Sequence, residues 1–107
     1  MEAKSEGMHP KVSVIMPVYN AMPYLQKSVG DVLLQSMREI ELICVDDGST
    51  DDSLNVLREY EANDPRVHVL TQKNLFAGTA RNLGIEHARG DYLMFHDADD
   101  LFEQTMI

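Results

Sequence analysis

The chain has 107 residues, enough for one domain and near the small end for burying a core. Its 44% hydrophobic and 25% charged residues are those of an ordinary soluble globular chain, and no apolar run nears the ~20 residues of a membrane span. Nine basic against 18 acidic residues give a formal net charge of −9, which repels nucleic acid and anionic membrane surfaces and favours a cation wherever acids gather.

Residues 1–10 are polar and lack the apolar stretch of a signal peptide, so they read as a disordered leader to a domain spanning 11–107. KVSVIM (11–16) has the length and β-branched content of a strand. From Met22 to Met37 the residues Leu25, Val29, Val32 and Leu33 recur at helical spacing. Pro23 suits the first turn of that helix, and Gly30 predicts a close approach of its middle to a sheet. ELICVD (41–46) is a second strand and holds the lone Cys44, a small buried hydrophobe. One cysteine permits no internal disulfide and fits a reducing, cytoplasmic compartment.

Leu54, Leu57 and Tyr60 form the stripe of a helix over 51–63, which Ser49 with Asp52 would cap and Asp64-Pro65 would end. RVHVLT (66–71) alternates as an edge strand does. Ala80, Leu83 and Gly84 give a small-residue face to a helix over 77–87, with Gly90 as its stop. DYLMFH (91–96) is the fourth strand. The first, second and fourth runs are nearly continuous in hydrophobicity, as in strands buried on both faces of a parallel sheet. The order βαβαβαβ predicts a Rossmann-like, doubly wound, mostly parallel four-stranded α/β sheet with right-handed crossovers. Ligands of such sheets bind outside the carboxyl ends of the strands, near the point where strand order reverses. Repeats, low-complexity tracts and linkers are absent.

The strand ends are rich in chemistry. Asp97 and Asp99, two apart in an extended segment, point to one side and can converge on a hard cation, Mg²⁺ or Mn²⁺, that keeps positions open for phosphate oxygens. The plainer alternative is a turn with Asp99 or Asp100 capping a helix. Asp46 and Asp47 point in opposite directions; one can face a ribose or base while the other supports the turn DGSTD. Tyr19 can stack on a base or lie half-buried with its hydroxyl wet. Arg81 can pair with a diphosphate or sit solvated on its helix. His96 reads as a buried, hydrogen-bonded residue; His9, His68 and His87 as structural or surface residues; the methionines as core filling. There is no G-x-G-x-x-G after the first strand, no P-loop lysine and no G-x-S-x-G elbow.

Four pieces, VSVIMPVYNA (12–21), ICVDDGSTDDS (43–53), AGTARNLGI (77–85) and GDYLMFHDADD (90–100), together resemble the family 2 glycosyltransferases, inverting enzymes of the GT-A fold. The resemblance covers nearly everything from Lys11 on. It implies a nucleotide-sugar donor, most often UDP-linked, bound through Mn²⁺ or Mg²⁺. By position, Pro17, Val18 and Tyr19 would contact the nucleotide and Asp47 the base. Arg81 would lie near the diphosphate. Asp97 would contact ribose or metal, and Asp99 would coordinate the metal. Where many members carry N-S-G-V-S, this chain has Asn74-Leu75-Phe76-Ala77-Gly78. The resemblance also implies that the acceptor-binding half, for a saccharide or lipid-linked acceptor, and the general base lie beyond Ile107, so the chain corresponds to the donor-binding half of a GT-A domain, inactive alone. A non-catalytic nucleotide-binding module, or a homodimer formed through an exposed sheet edge, is the alternative. A receiver-like signalling domain ranks last, because Pro17-Val18-Tyr19-Asn20 stands where its acid pair belongs.

Overall fold

A computed structural model of the chain describes residues 10–22, 24–34 and 39–96, with the backbone alone at 76 and 77. Seven elements follow the expected alternation: β1 (Val12–Val18), α1 (Leu25–Leu33), β2 (Ile40–Asp46), α2 (Ser53–Asn63), β3 (Val67–Thr71), α3 (Phe76–His87) and β4 (Tyr92–Phe95). The strands form one parallel four-stranded sheet in the order β3-β2-β1-β4. Strand order therefore reverses at β1, and the crevice beside its carboxyl end is the place where such a sheet receives a ligand.

β1 and β2 are buried along their whole lengths, which explains their unbroken apolar runs. β1 extends one residue past Pro17. The Ile15 carbonyl accepts from β4 through the His96 amide, whereas the Val18 carbonyl accepts from the Asp47 amide beyond β2. Odd positions of β1 therefore face β4, so the N–H that Pro17 lacks would point there. β4 pairs with β1 only from Val12 to Ile15, and no ladder bond is lost to the proline.

Helices cover both faces. Leu25, Val29 and Val32 of α1 and Val56 and Leu57 of α2 pack on the even positions of β1 and β2. Ala80 of α3 packs on Ile15, Ile43 and Val45 on the opposite face. Each fully buried aliphatic side chain contributes on the order of 1.5–3 kcal/mol relative to exposure. α3 lies very close to β1: a Cβ on Gly84 would come within 2.6 Å of Ile15 Cγ2.

Several local expectations need correcting. A Cβ on Gly30 would meet nothing within 4 Å, so this glycine serves no close approach to the sheet. α1 is shorter than the 22–37 pattern; Pro23 and residues 35–38 lie outside the described residues. α2 begins at Ser53 with Asp52 at its N-cap, and neither Ser49 nor Asp52 makes a side-chain cap bond. Gly90 does not stop α3, which ends at His87; a Cβ on Gly90 would instead come within 2.7 Å of the Ser13 amide nitrogen. Among the described residues β4 is an edge strand, and Tyr92, Leu93 and Phe95 are 66%, 46% and 47% exposed, not buried on both faces. Its apolar run resembled those of β1 and β2 because hydrophobicity alone does not record how many neighbours a strand has.

At the amino ends of the strands sits a buried acid, Glu41. The Ser13 hydroxyl donates to its Oε2 at 2.7 Å, and so does the Arg89 backbone N–H at 2.7 Å. The Gly90 amide donates in turn to Ser13 Oγ at 2.8 Å. Both His68 Nε2 and Arg89 Nε stand beside Oε1, at 3.5 and 3.6 Å. One carboxylate thus joins β1, β2, β3 and the turn into β4.

Candidate nucleotide-binding edge

Three loops leave the carboxyl edge of the sheet, and they are bonded to one another. The amides of Asn20, Ala21 and Met22 after β1 donate to Ser49 Oγ, Ser53 Oγ and Asp51 Oδ2 after β2, at 2.9, 3.0 and 3.3 Å. In the other direction Asn20 Oδ1 accepts from the Thr50 amide at 2.7 Å and the Asp51 amide at 3.2 Å. Asn20 adopts φ +49, in the left-handed region that asparagine tolerates better than most residues. Ser49, expected as a helix cap, is used here to hold the neighbouring loop.

The two adjacent acids diverge as expected. Asp46, 2% exposed, accepts the Ser49 amide on Oδ2 at 3.2 Å and so supports the turn. Its Oδ1 is buried without a hydrogen-bond partner among the described residues. Asp47 faces the loop after β3: its Oδ1 accepts from Gln72 Nε2 at 2.9 Å and from the Leu75 amide at 2.6 Å. Gln72 is itself fixed, its amide donating to the Asp46 carbonyl at 2.9 Å. Gly48 makes this meeting of loops feasible. It has φ +77, and a Cβ there would lie 3.0 Å from the Asn74 amide nitrogen.

Pro17 and Val18 are buried inside β1, whereas Tyr19, one residue on, is 49% exposed and presents its ring at the edge. Arg81 is half-buried in the second turn of α3. His96 is buried, as expected. Asp97 and Asp99 lie outside the described residues. Among the described residues no group of three or more metal-ligating side chains comes together. Burial pushes the Asp51 carboxyl up, but bonds from Ser53 and from the Met22 amide outweigh it and hold the group below its ordinary value.

Two residues were not singled out in the sequence. The signal for Asn20 is its place directly after a strand, where asparagine favours a left-handed turn. Gln72 carried no signal, since its role depends on meeting Asp47 across two strands.

The family model described as glycosyl transferase family 2 matches residues 13–107. The chain belongs to that family. It is 42% identical over 98 residues to the chondroitin synthase of Escherichia coli, covering 92% of this chain and 14% of that protein. It matches the crystal structure of S. aureus TarS with a TM-score of 0.80 at 31% identity, covering 88% of this chain and 29% of that one. TarS has also been crystallised with UDP and with UDP-GlcNAc. The mannosyltransferase PcManGT of Pyrobaculum calidifontis, in complex with GDP-Man and Mn²⁺, matches with a TM-score of 0.79 at 26% identity, covering 88% of this chain and 29% of that one. The parallel sheet is accordingly that of the N-terminal part of the GT-A fold. The chain spans 37%, 29% and 14% of the length of three curated relatives. No helix among the described residues is long and apolar enough to cross a membrane.

Proposed function

We propose that residues 11–107 form the donor-binding part of a glycosyltransferase that takes a nucleotide-diphosphate sugar, UDP-linked, and passes the sugar with inversion to a hydroxyl of a saccharide or lipid-linked acceptor. The observation that carries the proposal is the mutual bonding of the three loops at the carboxyl edge, which offers an exposed aromatic ring at Tyr19 beside a cluster of acids. In this reading Tyr19 lies along the base and Asp47 accepts one of its N–H groups. The main chain at Pro17 and Val18 lines the nucleotide, with Arg81 near the diphosphate. Asp97 and Asp99 hold Mn²⁺ or Mg²⁺, with Asp97 also near the ribose. When bound, the cation offsets charge that develops on the departing nucleoside diphosphate. Acceptor binding and the general base belong to chain other than these residues, so transfer needs more than this part. The setting we propose is polysaccharide assembly in the cytoplasm, with nucleic acid excluded by the net charge of −9.

Titration calorimetry tests this reading. UDP binds the chain in the presence of Mn²⁺, EDTA weakens the binding, and Asp99→Ala abolishes the metal-dependent part. Absence of UDP binding with and without metal contradicts it. A second reading, a dimerisation module, draws on the exposed Tyr92, Leu93 and Phe95 of edge strand β4. Sedimentation equilibrium showing a dimer that does not bind UDP favours that reading.

A further inference from the structure

We propose that Asn20 is a positioning residue for the nucleotide, a clasp that sets the loop bearing Tyr19 against the loop bearing Asp47 before any ligand arrives. The proposal rests on the donor-site reading above and concerns how that site is made. Tyr19 and Asp47 belong to segments far apart in sequence, and each directly follows the end of its own strand. The β1–β2 ladder ends between them, with the Asp47 amide donating to the Val18 carbonyl at 2.8 Å. Beyond that point Asn20 bonds the facing loop through both its backbone and its side chain. The Asn20 amide donates to Ser49 Oγ at 2.9 Å, and its side-chain carbonyl receives the Thr50 and Asp51 amides at 2.7 and 3.2 Å, with the Thr50 hydroxyl at 3.4 Å.

Asn20 can do this because of its backbone. Its φ of +49 turns the chain out of β1 sharply enough for a short side chain to reach the facing loop. Glycine adopts that conformation but offers no acceptor. Aspartate tolerates it and keeps an acceptor oxygen at the same position. The amides Asn20 satisfies lie just before α2, so the same bonds tie the start of that helix to the end of β1. Asp51 and Ser53 return the contact by accepting the Met22 and Ala21 amides. Without the Asn20 carbonyl the Thr50 and Asp51 amides lose their acceptor and the facing loop is held less firmly before binding, so a ligand must supply part of the ordering free energy.

The test compares the wild-type chain with Asn20→Gly and Asn20→Asp, using UDP with Mn²⁺ in calorimetry and amide hydrogen exchange without ligand. Asn20→Gly binds UDP about tenfold more weakly, the effect of losing one or two net hydrogen bonds. Its Thr50 and Asp51 amides exchange faster, while those of Val14 and Ile43 in the central strands stay protected, which separates a loosened clasp from a damaged fold. Asn20→Asp restores both readouts toward wild type. UDP binding by Asn20→Gly equal to wild type, unchanged exchange at Thr50 and Asp51, or Asp as poor as Gly overturns the positioning role while leaving the donor site standing. Failure of the wild type itself to bind UDP overturns the donor-site reading and this role with it.

Discussion

Gly84 of α3 rests directly on Ile15 of β1, so close that a single added Cβ would stand 2.6 Å from the Ile15 Cγ2. Ile15 is fully buried and has no room to move aside. Gly84→Ala is therefore expected to destabilise the chain by about 1–3 kcal/mol through overpacking, despite alanine's better helix propensity. Urea denaturation followed by circular dichroism measures the loss. An unchanged or higher midpoint would show that α3 is free to back away from the sheet.

Glu41 gives the second expectation. Its carboxylate is buried, and it alone accepts from both the Ser13 hydroxyl and the Arg89 amide. Glu41→Ala strands those donors and is expected to cost about 3 kcal/mol. Glu41→Gln keeps an acceptor oxygen and costs less. The same denaturation experiment ranks them, and equal stability of the Ala variant and wild type would show that this carboxylate contributes nothing to the fold.

The alternation of elements and the faces of the helices were legible because burial on both sides of β1 and β2 leaves unbroken apolar runs, and Leu25, Val29 and Val32 keep helical spacing. The carboxyl edge was legible as a collection of residue types: Tyr19, Asp47 and Arg81 all belong to elements that converge on it. What was not legible depended on partners distant in sequence. Ser49 carried a capping pattern yet bonds Asn20, because the loop from β1 comes within reach only once the sheet is formed. Gly90 looked like a helix stop and instead admits Ser13, and His68 showed no partner until β3 paired beside Glu41. β4 read like an interior strand because its sequence does not say that β1 is its one neighbour among the described residues.

Acid should weaken the fold through three carboxylates. The Arg66 side chain beside Asp64 holds that carboxyl below its ordinary 3.8. Burial raises Glu61, but the Val69 amide and Arg58 outweigh this and hold it below 4.5. Asp51 is lowered likewise, its bonds with Ser53 and Met22 overcoming burial. A depressed folded pKa gives stability that is present above the unfolded value and lost as pH falls through the folded one. The urea midpoint should therefore hold above about pH 5 and fall below about pH 4. Arg66→Ala should make the acid-induced fall smaller while lowering stability at neutral pH by about 1 kcal/mol. A midpoint indifferent to acid would contradict these pairings.

Cys44 should be chemically silent in the folded chain. It is fully buried in β2, and burial pushes its thiol far above the ordinary range. A disulfide reagent at mildly alkaline pH should modify it only at the rate of opening, rising with urea in step with unfolding. Rapid modification in native buffer would place the thiol at the surface.

The carboxyl edge, and not another face, is expected to take a nucleotide with a divalent ion. Paramagnetic Mn²⁺ added with UDP to the ¹⁵N-labelled chain can locate that ion, since amide signals broaden near it. Broadening is expected at Asp97 to Asp99 and at Tyr19, Asp47 and Gly48. Signals at the amino edge, at Glu41, Val67 and Arg89, should stay sharp, and EDTA should restore the broadened ones. Broadening centred on the Glu41 edge, or none at stoichiometric Mn²⁺ and saturating UDP, would contradict that expectation.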